Sequence, residues 1–267
     1  MTQRATVFGD DAAEYDATRP TYPAAAIDAL VAHGPRTALE AGSGTGIATR
    51  LVRARGVHVT GVEPDPRMAE LAATVASAAG DTDTTHVISR FEDVELPPPG
   101  TPVDLVFSAQ AWHWVEPAAG AAKAAHVLAP GGQWAAMWNM EAPSATVDTL
   151  LAVYARHAPA FADEWHEQDA ADDWELVHSI AEHPAFGPVA RQEISWTERL
   201  TADLLVRRYA THSNHRLLPR PEADALHAEM VAALGGPEAV VTSSLVTAVF
   251  VAARRPVAAA ATTTTDG

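Results

Sequence analysis

The sequence predicts an α/β fold built on a doubly wound, mostly parallel β-sheet. Short apolar segments rich in β-branched residues alternate along the chain with Ala-rich segments of helical length. The first apolar segment ends in a glycine-rich turn at residues 42–46, and a helical pattern follows directly. Because open α/β sheets bind ligands at the carboxyl ends of their strands, this turn is the first candidate for a functional site.

The predicted strands are apolar or alternating segments bounded by turn-forming residues. Residues 57–62 show the alternation most clearly, the Pro-rich break at 97–100 separates the third strand from the fourth, and the turn at 130–132 precedes the fifth. The seven predicted strands comprise residues 37–41, 57–62, 86–89, 103–108, 133–138, 194–200 and 243–253. The predicted helices comprise residues 10–17, 24–33, 47–54, 66–79, 120–128, 201–214 and 221–234.

Five regions are predicted along the chain. Residues 1–23 form a lead-in, and residues 24–139 form the ligand-binding core. Residues 140–190 are acidic and largely helical, which interrupts the alternation of strands and helices, and residues 191–255 complete the sheet. Residues 256–267 are rich in Ala and Thr and have too little to bury, so we expect them to be disordered.

The composition argues against several classes of function. A net charge of −16, with 18 basic and 34 acidic side chains, argues against a long nucleic-acid partner, because such partners need Lys and Arg to neutralise their phosphates. No apolar run reaches the roughly 18 residues of a membrane span, and the first residues lack the apolar core of a signal peptide. The absence of cysteine excludes disulfides. We therefore expect a cytoplasmic protein. Residues 166–173 hold acids and a His without metal-ligand spacing, so no metal is predicted.

The spacing of the glycine turn disfavours a dinucleotide. The turn is Gly42-x-Gly44-x-Gly46, whereas the dinucleotide fingerprint requires its third glycine at the position of Ile47. Glu40, just before the turn, would repel a pyrophosphate but suits a ligand that carries an ammonium group and a sulfonium. A glycine turn that holds no ligand is the alternative.

Glu63 gives a second signal at the end of the second predicted strand. In sheets of this kind an acid at that point hydrogen-bonds ribose hydroxyls. The alternative is an exposed acid that caps the helix beginning near Pro66. The ribose interpretation is favoured because the glycine turn lies at the end of the neighbouring strand.

These residues, together with further segments, resemble the class I S-adenosylmethionine-dependent methyltransferases. The closer similarity is to the small-molecule branch that includes UbiE-like and trans-aconitate methyltransferase-like enzymes. The matching segments recur in the family's order and comprise residues 15–23, 40–46, 61–64, 91–93, 103–114 and 128–132. The resemblance implies a Rossmann-like sheet of seven strands with the last antiparallel. It also implies an N-terminal lid over residues 1–23 and a helical substrate-covering insertion over 140–190.

The resemblance further implies S-adenosyl-L-methionine as cofactor. Tyr15 would cover the methionine end, and Arg19 would pair with its carboxylate. The ammonium would face Glu40 or a nearby carbonyl, while Phe91 and Glu92 would read the adenine edge. The alternatives are a plain surface helix for Tyr15 and Arg19, and solvated loop acids for Glu92 and Asp93. The implied cofactor-binding residues are Tyr15, Arg19, Glu40, Gly42, Gly44, Glu63, Pro64, Phe91, Glu92, Ser108, Ala109 and Trp112.

His113 is the candidate for the reaction centre. It follows the fourth strand, in the loop that faces the transferring methyl group in this family. Three roles stay open for it: a general base, a residue that lines the site without proton transfer, or a packed structural residue. Trp114, Trp138 and Asn139 are predicted to bind the substrate.

The function that follows is methyl transfer to an O, N or C atom of a small-molecule acceptor, with a specialised metabolite as the expected acceptor. A protein that binds the cofactor without transferring methyl is the alternative, and the glycine spacing disfavours a nicotinamide-dependent oxidoreductase. His212 and His215, on the helix after the sixth strand, could line the substrate side, but a surface position is favoured.

Overall fold

A computed structural model describes residues 11–95, 101–162 and 177–256 of the chain. Its centre is one seven-stranded sheet with the strand order β3-β2-β1-β4-β5-β7-β6. Neighbouring strands are parallel except at β7, which runs antiparallel to both β5 and β6. The strands are β1 Thr37–Ala41, β2 His58–Glu63, β3 Thr85–Ile88, β4 Val103–Ala109, β5 Leu128–Glu141, β6 Ala190–Thr201 and β7 Val240–Ala253. The predicted fold class is confirmed.

The helices surround this sheet. They are α1 Ala12–Thr18, α2 Ala24–Leu30, α3 Ile47–Arg53, α4 Pro66–Ala78, α5 Pro117–Val127, α6 Ala145–His157, α7 His178–Glu182, α8 Ala202–Ala210, α9 Ser213–Arg216 and α10 Arg220–Ala233. Short 3₁₀ turns at Phe91–Asp93 and Trp112–Trp114 follow β3 and β4. No helix in the described ranges is long and apolar enough to cross a bilayer. The predicted tail beyond residue 256 lies outside those ranges.

Several predicted boundaries differ from the observed ones by three or four residues, and two further differences have a clear physical cause. The turn at residues 130–132 belongs to β5, because Gly131 N–H donates to Arg254 O at 3.2 Å and Arg254 N–H donates to Gly132 O at 2.7 Å. The left-handed backbone of Gly131, at φ 81°, lets the strand bend there without ending. The helix predicted over 201–214 is divided into α8 and α9, with Thr211 at the end of α8.

Apolar side chains fill both faces of the sheet. One face packs Val106, Trp134 and Phe250 against α5 and α7. The other packs Phe107 and Met137 against α2 and α3. A third apolar cluster joins α6, α8 and α10 with the ends of β6 and β7. The helices of this third cluster therefore lie near the carboxyl end of β5, from which α6 follows directly.

Gly120 in α5 tests how tightly the first of these clusters is packed. A Cβ at this position would lie 2.3 Å from Val115 Cγ1 and 3.6 Å from the Trp112 ring. Overpacking costs about 1–3 kcal/mol, and the better helix propensity of Ala returns at most about 1 kcal/mol. We therefore expect Gly120→Ala to lower the free energy of unfolding by about 1–2 kcal/mol, measured by urea unfolding.

Gly187→Ala is the matched control for this prediction. Its added Cβ would make only an ordinary contact, 3.6 Å from Ala253 O. A change within about 0.5 kcal/mol is expected there. Equal effects of the two substitutions would show that close packing around Gly120 is not the cause.

Candidate functional site

The glycine turn joins β1 to α3 through three left-handed residues. Gly42, Gly44 and Gly46 have φ values of 70°, 54° and 83°. A Cβ added at Gly44 would meet only Met68 Cε, at 3.6 Å, so the backbone of Gly44 is open to close approach. Val62 O, on the neighbouring strand, accepts hydrogen bonds from Gly42 N–H and Ser43 N–H at 2.9 and 3.0 Å. The turn is thus an open main-chain cradle at the carboxyl end of β1.

Glu63 connects this cradle to the end of β2. Its carboxylate accepts a hydrogen bond from Gly44 N–H at 2.8 Å and another from Asp65 N–H at 2.9 Å. The residue is 8% exposed, and burial raises the pKa of its carboxyl. The alternative of an exposed capping acid is wrong, because Asp65 caps α4 by accepting from Arg67 N–H at 3.0 Å. Pro64 is exposed beside it.

Glu40 is buried beneath the turn, at 1% exposure. Its carboxylate accepts a hydrogen bond from the Thr49 hydroxyl of α3. Burial is the main cause that raises the pKa of Glu40 to about 8, and the nearby Glu63 charge adds to this shift. The carboxyl is therefore largely protonated near neutral pH unless a cation approaches it.

This burial makes stability depend on pH. The folded state holds a proton on Glu40 up to about pH 8, whereas the unfolded chain releases it near 4.5. The stabilisation that the folded state gains from binding this proton is complete below the pKa of Glu40 in the unfolded chain. It is lost as pH rises to the pKa in the folded state, with a slope of at most about 1.4 kcal/mol per pH unit. We expect Glu40→Gln, which stays neutral, to lose less stability than the native protein in urea unfolding between about pH 5 and 8. Parallel plots of unfolding free energy against pH for the two proteins would contradict the raised pKa of Glu40.

Helix α1 lies against the glycine turn. Asp16 accepts hydrogen bonds from the Thr45 hydroxyl at 2.7 Å and from Arg50 at 2.9 Å. On its other side, Glu14 accepts two hydrogen bonds at 2.7 Å from the Arg207 guanidinium of α8. Residues 11–18 of the predicted lid therefore span from the turn to the third apolar cluster. Residues 1–10 lie outside the described ranges.

The two predicted lid residues contact each other. The Arg19 guanidinium lies over the Tyr15 ring, 4.7 Å from its centroid. Arg19 Nε is buried and has no hydrogen-bond partner among the described residues. A buried guanidinium N–H is costly to leave unpaired, so it fits the carboxylate of an amino-acid ligand.

Removing this segment should weaken cofactor binding. Deletion of residues 1–20 removes Arg19 and Tyr15, and a hydrogen bond between charged groups is worth about 1.5–3 kcal/mol. We expect the truncated protein to fold, by circular dichroism, and to bind S-adenosylhomocysteine at least about tenfold more weakly in calorimetry. Glu14→Ala, which removes only the two hydrogen bonds from Arg207, should reduce this affinity by a smaller factor. Normal affinity after truncation would refute a role of the segment in binding.

The segments after β3 and β4 pack together. Trp112 is 3% exposed, and its ring lies edge-on to Phe91 and Trp134, at centroid distances of 5.6 and 5.1 Å. Glu92 accepts hydrogen bonds from Arg90 at 2.9 Å and from Glu116 N–H at 2.6 Å. Phe91, Glu92 and Trp112 thus have structural partners within the protein, and their contacts with adenine stay predictions.

The end of β4 closes against the cradle. The Ser108 hydroxyl donates to Ala41 O at 2.8 Å, and Ala109 is partly buried next to it. Gln110 has a φ of 56°, an uncommon value for a residue other than Gly. A Cβ at Gly42 would lie 2.5 Å from Ala111 Cβ, so a glycine is needed for the two loops to meet.

His113 lies beyond this loop, beside the partly buried Trp114 and the buried Trp138. His113 is exposed, and its ring centroid lies 4.7 Å from that of Trp114. Trp138 Nε1–H donates to His113 Nδ1 at 3.2 Å. Desolvation by nearby protein atoms lowers the pKa of His113 to about 4, although the exposed part of the ring limits this shift. The lowered pKa leaves the imidazole neutral near pH 7.

Asn139 bridges the lead-in and the sheet. Its Nδ2 donates to Thr21 O at 3.0 Å, and its Oδ1 accepts from the Thr247 hydroxyl at 2.6 Å. Gln110 Nε2 donates to the Asn139 carbonyl at 3.0 Å. Asn139 therefore holds the lead-in against β5 and β7, and its contact with a substrate stays a prediction.

A buried polar cluster near the end of β5 was missed by sequence reasoning. The surface expectation for His215 was wrong: it is 3% exposed, Nε2 lies 3.0 Å from Tyr154 Oη, and Nδ1 lies 2.9 Å from His227 Nε2. His212 is only partly exposed. Burial raises the pKa of Glu141, at the end of β5, to about 7, although a hydrogen bond from Tyr209 opposes the shift. These residues come from separate helices and a strand, so no local sequence pattern predicts that they form a cluster.

No group of three or more metal-ligating side chains occurs within the described part of the chain. The acidic segment 166–173 lies outside it. The residues that are described fit an amino-acid and ribose-bearing ligand: the cradle is open at Gly44, a buried carboxylate sits beside it at Glu63, and an unpaired buried N–H is present on Arg19.

Proteins of known family resemble this chain over most of its length. Residues 39–136 match a methyltransferase-domain family. The chain is 33% identical over 207 residues to an uncharacterised methyltransferase of Mycobacterium bovis, covering 77% of this chain and 76% of the relative. It is 25% identical over 232 residues to a Schizosaccharomyces pombe methyltransferase-like protein, covering 84% of each. A solved structure of a candidate type II methyltransferase from Anaeromyxobacter dehalogenans has a similar fold, with a TM-score of 0.58, 24% identity and coverage of 89% of this chain and 97% of that one.

Proposed function

Because the chain belongs to the class I S-adenosyl-L-methionine-dependent methyltransferases, we propose that it methylates an O, N or C atom of a small-molecule acceptor, and that the acceptor is a specialised metabolite. S-Adenosyl-L-methionine is the cofactor of the family. The observation that best supports the proposed binding mode is the 2.8 Å bond from Gly44 N–H to the Glu63 carboxylate. That bond joins the two strand ends that would hold the methionine and ribose parts. Membership of the UbiE-like branch stays a prediction.

The chain's own residues would bind and orient the cofactor. The cradle at Gly42 and Gly44 would take the methionine part, with Arg19 at its carboxylate, and Glu63 would take the ribose hydroxyls. When bound, S-adenosyl-L-methionine supplies an electrophilic methyl group on a sulfonium. What the protein adds is alignment of the acceptor and exclusion of water, which contribute several kcal/mol to such a displacement.

The acceptor would bind at the rim formed by His113, Trp114 and Trp138. His113 and Trp114 follow β4 beside the cradle, and Trp138 lies near the carboxyl end of β5. Aromatic side chains suit a small organic acceptor. Acidic side chains outnumber basic ones by 34 to 18, which supports a small molecule as the acceptor and disfavours a nucleic acid. Helices α6 and α8, which follow β5 and β6, are the proposed cover over this end of the sheet.

A panel of acceptors tests this function. The full chain is incubated with S-adenosyl-L-methionine and, in separate reactions, carboxylic acids, phenols, amines and enolisable ketones, and S-adenosylhomocysteine is measured by mass spectrometry. We expect acceptor-dependent product from at least one class and none from a transfer RNA control. Product only with the RNA would contradict the small-molecule proposal. Binding of S-adenosylhomocysteine without turnover on any acceptor would favour the alternative of a cofactor-binding protein that transfers no methyl.

A further inference from the structure

The hydrogen bond between Trp138 and His113 restricts what His113 can do. Trp138 Nε1 lies 3.2 Å from His113 Nδ1. An indole N–H can only donate, so Nδ1 must contribute its lone pair to this bond. In the neutral imidazole the proton therefore resides on Nε2.

The neutral form is the one that exists near pH 7. A protonated ring would carry a proton on Nδ1, which would face the indole N–H and break the bond. No carboxylate of the described residues contacts His113, and desolvation lowers its pKa. The arrangement is thus the reverse of a catalytic His–carboxylate pair, in which the acid holds the proton on one nitrogen and leaves the other free to act as a base.

The remaining nitrogen is available to a ligand. No protein atom of the described ranges bonds to His113 Nε2, and the residue is exposed. The Trp114 ring, at 4.7 Å, and Trp138 flank the imidazole. Its free N–H therefore lies among the aromatic side chains at the carboxyl ends of β4 and β5.

We propose that His113 binds the methyl acceptor by donating its Nε2–H to an oxygen or nitrogen lone pair of that molecule, and that Trp138 is a positioning residue that fixes this tautomer. The inference rests on the proposed function for the identity of the ligand. It selects one of the three roles considered for His113, a binding role without proton transfer. The acceptor must then carry a hydrogen-bond acceptor, such as a carboxylate or carbonyl oxygen, near the methylated atom. A proton released from the acceptor does not go to His113.

The tautomer is tested on the unliganded full-length protein, so this result does not depend on methyl transfer. Long-range ¹H–¹⁵N spectra of protein labelled at histidine distinguish the two neutral tautomers, and the signal lost in His113→Gln assigns His113 among the 12 histidines. We expect the Nε2–H tautomer in the native protein and a mixture in Trp138→Phe. The Phe ring keeps the edge-on contact with Phe250, which lies at 5.7 Å in the native protein, but has no N–H. The Nδ1–H tautomer in the native protein, or an unchanged signal in Trp138→Phe, would overturn the proposal.

Kinetics with the acceptor found in the panel test the contact itself. The amide nitrogen of Gln reaches about as far as Nε2 of His, whereas that of Asn reaches only as far as Nδ1. We expect KM to rise by about 3- to 10-fold more in His113→Asn than in His113→Gln, the effect of one neutral hydrogen bond. Equal KM values in the two variants would overturn the contact. So would a kcat that falls about 100-fold or more in both and recovers at high pH, because that pattern identifies a general base.

Discussion

Gly44→Val should reduce the affinity for S-adenosylhomocysteine by at least about 100-fold, or roughly 2.7 kcal/mol. The backbone of Gly44 has a φ of 54°, and its Cβ position is open apart from Met68 Cε at 3.6 Å. A branched side chain would therefore fill the space that the methionine part of the cofactor needs. It would also keep the ligand away from the main chain, with loss of hydrogen bonds worth about 1 kcal/mol each.

Gly56→Val is the matched control, measured by the same calorimetry. Gly56 also has a left-handed backbone, at φ 83°, but no atom lies within 4 Å of its Cβ position. Both variants thus carry similar backbone strain, and only Gly44→Val changes the cradle. Equal affinities in the two variants would refute the placement of the cofactor on the glycine turn.

Glu63→Ala should weaken the same binding by about 10- to 150-fold, because a hydrogen bond to a charged acceptor is worth about 1.5–3 kcal/mol. The carboxylate is 8% exposed and already accepts from Gly44 N–H and Asp65 N–H, so it is held in one orientation before a ribose arrives. Removing it takes away the proposed ribose partner and also loosens the turn.

Two further measurements separate these causes. Glu70→Ala, an exposed change on α4, should leave the affinity within about twofold. Adenosine, which retains the ribose but lacks the methionine part, should lose affinity in Glu63→Ala as well. If adenosine binding is unchanged while S-adenosylhomocysteine binding falls, Glu63 acts through the turn and not through the ribose.

Local signals explain what the sequence could predict. The glycine turn, the acid at the end of β2 and the alternating strands each depend on residues within a few positions of one another, and the fold class followed from them. The cofactor followed from the resemblance to the methyltransferase family. The turn at residues 130–132 was predicted to precede β5 but belongs to it, because its place in the strand depends on pairing with Arg254, more than 120 positions away.

The buried polar cluster and the tautomer of His113 could not be predicted in the same way. Tyr154, His215 and His227 lie on α6, α9 and α10 and meet only after the third apolar cluster forms. The tautomer of His113 likewise depends on Trp138, which is 25 residues away on the next strand. The sequence identified both residues but left their relation open. The cytoplasmic location and the division into regions stay predictions.

A comparative titration of the full chain tests the central claim most directly. S-Adenosylhomocysteine and NADH are titrated separately into the protein, and binding is followed by calorimetry and by the fluorescence of the reduced nicotinamide. The residues at the turn predict saturable binding of S-adenosylhomocysteine at one site per chain and no binding of NADH, because the third glycine of the dinucleotide fingerprint is replaced by Ile47. Saturable binding of NADH with no binding of S-adenosylhomocysteine would contradict the account.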